Sequence, residues 1–292
     1  MPNDFNRKTR KGKAMKRQFG IRILIPVLIV LCLSGSAYAQ SRVPDIFFLP
    51  TPQEVVEAML QMANVNKDDL VYDLGCGDGR FVITAAKKFG ARGVGVDIDK
   101  ERIRESTENA QKEGVMDRLK FIEADLYETD IREATVVTLY LLTDLNVKLR
   151  PKLLSQLRPG SRVLSYSFDM GDWEPDRMAG NRRYFYWVIP ANVAGPWQWS
   201  LGEAETGQQN HLRLEQKYQK IEGYVRFEGK EAKLLEPKLE GDRMSFQIDS
   251  ESQGQSVTMR FKGRIMGDTI TGDVDIQRGS VRGTQAWKAS RL

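Results

Sequence analysis

Histidine and cysteine are nearly missing. His211 is the only histidine in 292 residues, and the two cysteines are Cys32 and Cys76. A multi-histidine metal centre is therefore excluded, and so is a C-x-x-C zinc or redox motif. Serine–histidine or cysteine–histidine catalysis would have to run through His211, and nothing beside that residue resembles a nucleophile elbow. Cys32 lies in an apolar leader. Cys76 is left alone in the body, without a partner for an intramolecular disulfide. The body also lacks an excess of positive charge. The chain carries +5, but residues 1–39 hold eight basic residues and one acid. The rest carries 36 basic and 38 acidic residues, a balance of −2. The body thus offers no overall basic field for nucleic acid.

The leader combines a basic start, a short apolar run from Ile23 to Leu33 and small residues ending in Ala37-Tyr38-Ala39. Those three features describe a secretory signal peptide over residues 1–39. Met15 begins a compact version of the same signal. The alternative is an uncleaved anchor, because the 19 uncharged residues Ile23 to Ser41 could just span a bilayer. In both cases the positive flank stays inside and the body is expected to be exported, facing the periplasm or cell envelope.

Residues 40–190 alternate strand-like and helix-like segments. Thr51-Pro52-Gln53-Glu54 reads as a capping box with proline at the first helical position. Strands are expected at Leu70–Leu74, Gly93–Asp97, Leu119–Glu123, Thr135–Leu142 and Arg162–Tyr166. Helices are expected at Arg80–Phe89, Lys100–Lys112 and Leu145–Leu157, the last broken before Pro151. Such alternation implies an α/β fold with a parallel sheet and helices on both faces. Over residues 191–292 the texture changes to short period-2 segments, such as Met244/Phe246/Ile248 and Val257/Met259/Phe261, separated by Gly-Asp and Glu-Gly turns. Seven or eight antiparallel strands in a smaller barrel or sandwich are expected there. Trp197, Trp199, Tyr224 and Trp287 either line a pocket of that domain or fill its core.

The informative string is Val71-Tyr72-Asp73-Leu74-Gly75-Cys76-Gly77-Asp78-Gly79-Arg80. A strand delivers an acid, then glycines at every second position, then a helix. Glycine permits the tight turn and the close approach of a ligand. The helix start presents free N–H groups and the positive end of its dipole. The second strand ends at Asp97, whose carboxylate can accept two hydrogen bonds from vicinal ribose hydroxyls. The third leads to Asp125, which could take the amino group of an adenine ring. A dinucleotide fold would show G-x-G-x-x-G, and an acid beside a pyrophosphate would repel it.

This combination resembles the class I S-adenosylmethionine-dependent methyltransferases, with a Rossmann-like sheet. The resemblance implies a cofactor-binding set of Asp73, Gly75, Gly77, Gly79, Asp97, Ile98, Asp125 and Leu126, with the glycine loop at the methionine moiety and the two strand-end acids at ribose and adenine. A narrower likeness rests on Pro50-Thr51-Pro52, Asp73–Arg80, Glu123-Ala124-Asp125-Leu126, Leu149–Leu153 and Phe168–Pro175 with Trp173. These are similar to the lysine methyltransferases that modify the mitochondrial adenine nucleotide translocase and the ATP synthase c-subunit, and to their bacterial relatives. That family has no required C-terminal β domain. The implied activity is N-methylation of a protein lysine, with S-adenosyl-L-methionine as cofactor, a protein as partner and no nucleic acid. Tyr140 and Asn146 are the candidate residues for orienting the acceptor nitrogen, and Trp173 is more readily packing than wall. An exported binding protein that kept the fold without turnover is the competing reading. A nucleic-acid methylase is a third, opposed by the charge of the body and by Leu139-Tyr140-Leu141-Leu142 where base methylases carry an Asn-Pro-Pro-Tyr type motif.

Overall fold

The computed structural model describes residues 47–201, 210–252 and 254–292. The expected leader, with Cys32, lies outside the described residues. Helix α1, Gln53–Met62, buries Val55, Val56, Met59 and Leu60. It starts one residue later than the sequence suggests. Pro52 is the N-cap, no side chain caps the helix, and Thr51 is buried with its carbonyl accepting from Arg80 Nη1. The capping-box expectation fails because that contact draws residue 51 into the site region.

Four strands follow in order: β1 (Leu70–Leu74), β2 (Arg92–Asp97), β3 (Leu119–Glu123) and β4 (Val136–Leu139). Between them lie α2 (Arg80–Phe89) and α3 (Lys100–Lys112), and after them α4 (Thr143–Gln156) and β5 (Arg162–Tyr166). Helix α2 ends at Gly90, left-handed at φ 70, where the N–H groups of Gly90 and Ala91 bond back to Ala86 and Ala85. The Gly90 bond, four residues back from a left-handed glycine, is the αL type of helix stop. Two antiparallel strands, β6 (Arg177–Ala179) and β7 (Tyr184–Val188), complete the first sheet, whose order is β3-β2-β1-β4-β5-β7-β6. Helices α1, α2 and α3 pack on one face and α4 on the other. The chain runs outward from β1 to β3 and then returns to β4 beside β1. That reversal opens a crevice at the strand C-termini, where open α/β sheets take ligands.

Two expectations are corrected here. Strand β4 ends at Leu139, so Tyr140 and Leu141 stand beyond the sheet, at its lip. Helix α4 runs through Pro151 instead of breaking before it. Leu149 and Leu153 flank the proline and are both fully buried. Burying each contributes about 1.5–3 kcal/mol, enough to offset the roughly 3 kcal/mol that an interior proline costs.

After Val188 the chain changes sheet. Nine antiparallel strands, one or two more than expected, follow: β8 (Gly195–Leu201), β9 (Asn210–Lys217), β10 (Lys220–Phe227), β11 (Lys230–Lys233), β12 (Leu235–Glu240), β13 (Arg243–Ser252), β14 (Gln255–Met266), β15 (Thr269–Arg278) and β16 (Val281–Arg291). Their order is β11-β10-β9-β8-β16-β15-β14-β13-β12, and β11 approaches β13 where the barrel nearly closes. Its interior is packed. Phe246 stacks on Phe261 with centroids 4.6 Å apart, and Trp287 meets both edge-on. Trp197, Trp199 and Trp287 are buried and Tyr224 is exposed, so the three tryptophans fill the core. Among the described residues no helix is long and apolar enough to cross a membrane.

The barrel meets the first sheet at Gly241, whose carbonyl accepts from Ala191 N at 2.8 Å. Gly241 has φ 60, and a Cβ there would lie 2.8 Å from the Gly160 Cα. Gly241→Ala is therefore expected to lower the unfolding free energy by about 1–3 kcal/mol. Urea denaturation checks it, and an unchanged midpoint would show that the two turns separate freely.

Candidate active site

A cavity of about 940 Å³ opens at the C-terminal ends of β1, β2 and β4. That is within the usual size range of small-molecule sites. Six of the residues that the sequence marks as cofactor-binding line it, namely Asp73, Gly75, Asp97, Ile98, Asp125 and Leu126, joined by Tyr140 from the acceptor pair. Asp97 ends β2 and is held from two sides. Its Oδ2 accepts from Gly77 N at 2.9 Å and its Oδ1 from Asp99 N at 3.0 Å. Asp99 in turn caps α3 by accepting from Glu101 N. Each Asp97 oxygen keeps lone-pair capacity toward the cavity. Asp125 Oδ1 accepts from Tyr127 N at 2.8 Å, which fixes the carboxylate after β3.

The glycines divide their work. Gly75, Gly77 and Gly79 all have positive φ (85, 53 and 82), so this backbone favours glycine at each. Only Gly75 lines the cavity. Gly77 lies under the Phe48 ring, where a Cβ would be 2.1 Å from a ring carbon. Gly79 starts α2 against Ser106 of α3 and Phe121 of β3. Its close contacts are with packing partners, in place of the direct ligand contact expected from sequence.

Asn146 is the clearest correction. The sequence suggests that it orients an acceptor, but it is fully buried. Its Nδ2 donates to Ser165 Oγ and to the carbonyls of Phe168 and Asp169, at 3.1–3.2 Å. The turn of α4 sets its Nδ2 beneath the loop after β5, and its Oδ1 is buried without a hydrogen-bond partner among the described residues. Trp173 is likewise buried, against Trp187.

Of the aromatic side of the cavity, sequence reasoning names Tyr140 and passes over Phe168 and its neighbours. Tyr140 and Phe168 both line it, with ring centroids 6.1 Å apart. Tyr166 stands 4.8 Å from Tyr140, and Tyr184 6.0 Å from Tyr166. Burial raises the Tyr140 hydroxyl above its ordinary pKa, and Tyr166 adds to the effect, so Tyr140 is neutral at pH 7. At the mouth, Phe47, Phe48 and Leu49 form a further apolar wall, and the Arg102 guanidinium sits 5.1 Å over the Phe48 ring. The Phe-Phe-Leu run before Pro50 is the available signal for this wall.

Asp73 lies on the cavity floor, 4% exposed, with Oδ1 accepting from Thr138 Oγ1 at 2.7 Å. Burial pushes its carboxyl up to about 8, despite the Thr138 bond. The floor thus holds a protonated acid at neutral pH. Cys76 is buried, and burial pushes its thiol well up. An inert thiol follows.

Residues 73–177 match the family model described as the ANTKMT methyltransferase domain. A protein-lysine N-methyltransferase of Saccharolobus islandicus (strain REY15A) is 52% identical over 136 residues, covering 46% of this chain and 84% of that protein. The human lysine N-methyltransferase of the ATP synthase c-subunit is 30% identical over 146 residues, covering 50% of this chain and 62% of that protein. This chain thus spans less than two thirds of the human relative. Among solved structures, an RNA methyltransferase from Salinibacter ruber in complex with S-adenosyl-L-homocysteine is 50% identical, covering 50% of this chain and 96% of that one, with a TM-score of 0.49.

The Asp73 proton has a measurable consequence. Between the ordinary carboxylate range and pH 8 the folded chain holds a proton that the unfolded chain has released. The unfolding free energy must then fall as pH rises through that window, by up to about 1.4 kcal/mol per pH unit for one proton. Asp73→Asn removes this contribution. Urea unfolding of both proteins from pH 5 to 8 is expected to show a shallower decline in the variant, and parallel curves would place the proton elsewhere.

Proposed function

The chain belongs to the ANTKMT methyltransferase family, which is S-adenosylmethionine-dependent, and from that premise we propose that it N-methylates lysine side chains of protein substrates. The observation that carries this reading is one cavity with two chemically different ends. Asp97 and Asp125 offer carboxylates on one side, and Tyr140 and Phe168 offer aromatic faces on the other.

S-adenosylmethionine, when bound, supplies a methyl group already activated on a sulfonium. The residues present fit that group. Asp97 would take the ribose hydroxyls, Asp125 the adenine edge with Ile98 and Leu126 beside it, and Gly75 would let the backbone approach the methionine part. The chain's remaining task is to present a neutral nitrogen. A lysine with its reference pKa near 10.4 is protonated at pH 7, and deprotonating it costs roughly 4.6 kcal/mol. Tyr140 and Phe168 would exclude water from the ammonium and disfavour its charge. Tyr140, neutral at this pH, would offer its hydroxyl as a hydrogen-bond partner and its ring as a wall. Alignment for in-line transfer supplies much of the remaining rate.

Titration calorimetry of the full chain with S-adenosylmethionine and S-adenosylhomocysteine tests the first half. Asp97→Asn is expected to weaken both about 10–100-fold, as lost hydrogen bonds to a charged group do, while Tyr140→Ala leaves them within twofold. Methyl-³H transfer to cell-extract fractions tests the second. Methyl-lysine is expected after acid hydrolysis, and Tyr140→Ala is expected to move the rate profile to higher pH as water reaches the amine. Ribonuclease-sensitive label would overturn the lysine assignment. Tight binding without transfer would favour the reading of a binding protein that lost turnover.

We also propose that residues 1–39 direct export, on the strength of their charge and Ala-Tyr-Ala pattern. N-terminal sequencing of the protein from the envelope fraction is expected to begin at Gln40. Recovery with the cytoplasmic fraction would refute it.

A further inference from the structure

The turn between β9 and β10 departs from the rest of the barrel. The other described two-residue turns carry glycine: Glu228-Gly229, Gly241-Asp242, Gly267-Asp268 and Gly279-Ser280. Such hairpins favour Asn-Gly and similar pairs because the backbone enters the left-handed region. Between Lys217 and Lys220 the pair is Tyr218-Gln219, and Tyr218 holds φ 55. A bulky residue persists in that region only where its surroundings demand it.

The demand comes from the other sheet. The Tyr218 ring stacks on Trp173 with centroids 5.4 Å apart and planes 20° apart. Lys217 Nζ pairs with Asp172 at 3.1 Å and Lys220 Nζ with Glu174 at 2.6 Å. Gln219 Nε2 donates to Asp176 at 3.1 Å. Every residue of this turn grips the segment between β5 and β6, which opens with Ser167 at φ 66 and then Phe168 on the cavity wall. From the other side Arg150 Nη1 donates to the Met170 carbonyl and to Asp172 Oδ1, at 2.8 and 2.7 Å.

We propose that the β9–β10 turn is a positioning element of the active site: Tyr218 and its neighbours hold the 167–176 segment so that Phe168 forms the acceptor wall. This gives the C-terminal domain a role in substrate binding without contact with substrate. It rests on the lysine-methylation reading for the identity of the wall, though the grip itself does not.

The test places glycine at the left-handed position, as in the turns that open on Gly241, Gly267 and Gly279, with Tyr218→Gly in the full chain. The barrel is then expected to melt no lower than wild type. Amide hydrogen exchange over 167–176 is expected to quicken at least tenfold, with barrel strands unchanged. With poly-L-lysine as acceptor, KM for the polymer is expected to rise about tenfold while KM for S-adenosylmethionine stays within twofold. Tyr218→Phe, which keeps the ring, is expected to match wild type in both. Unchanged exchange over 167–176 in Tyr218→Gly would overturn the proposal. If wild type leaves poly-L-lysine unmethylated, the lysine reading fails, and the exchange data decide the grip independently.

Discussion

The carboxylate of Asp97 is the constraint on which the site depends. One oxygen takes the Gly77 N–H and the other the Asp99 N–H. A single side chain thereby ties the end of β2 to the glycine loop and to the start of α3. It works with the Val96 carbonyl, which takes the Gly75 and Cys76 N–H groups, to keep three left-handed glycines in register, since glycine loses more conformational freedom on ordering than any other residue. Asp97 thus takes the Gly77 amide while its carboxylate, which lines the cavity, keeps further lone-pair capacity. Rigidity and ligand capacity come from one group. The floor below follows the opposite logic. Asp73 keeps its proton because burial outweighs the Thr138 bond, so the floor presents a neutral carboxyl.

What can be read from the sequence is whatever short-range chemistry decides. Leu70–Leu74, Arg80–Phe89, Lys100–Lys112, Leu119–Glu123 and Arg162–Tyr166 form where expected, because parallel strands buried on both faces read as apolar runs and helices carry their own stops. The acids Asp97 and Asp125 are legible as cavity residues because a strand end fixes where they stand. Asn146 is not. Whether it faces the cavity or the β5 loop depends on the rotation of α4, set by Leu149 and Leu153 against the sheet, and no local pattern encodes that rotation. Strand β7 escapes for a related reason. Tyr184-Phe185-Tyr186-Trp187-Val188 has no polar alternation, and its pairing with β5 is antiparallel. The barrel's expected strand number falls short because β11 and β12 are brief and polar, with an irregular register between Leu235 and Lys238.

The misread residue is instructive about the site. Asn146 and Ser165 both donate to the Phe168 carbonyl, at 3.2 and 2.6 Å. They fix from below the backbone that Phe168 presents to the cavity. Arg150, a turn further along α4, fixes the next stretch. A residue expected at the acceptor instead sets the wall beside it.

Holding that wall from outside requires more than charge. The ion pairs Lys217–Asp172 and Lys220–Glu174 join exposed partners, and such pairs contribute little because water screens them. Trp173 is different. It is 1% exposed, lies between Trp187 and Tyr218, and its own carbonyl accepts from Trp187 Nε1 at 2.8 Å. The aromatic stack is therefore where the barrel's hold on the segment resides, and the ion pairs set its register. A flat ring against a buried indole also explains why a tyrosine occupies a turn position that favours glycine. The hairpin gives up local backbone preference for a contact that only the assembled molecule provides.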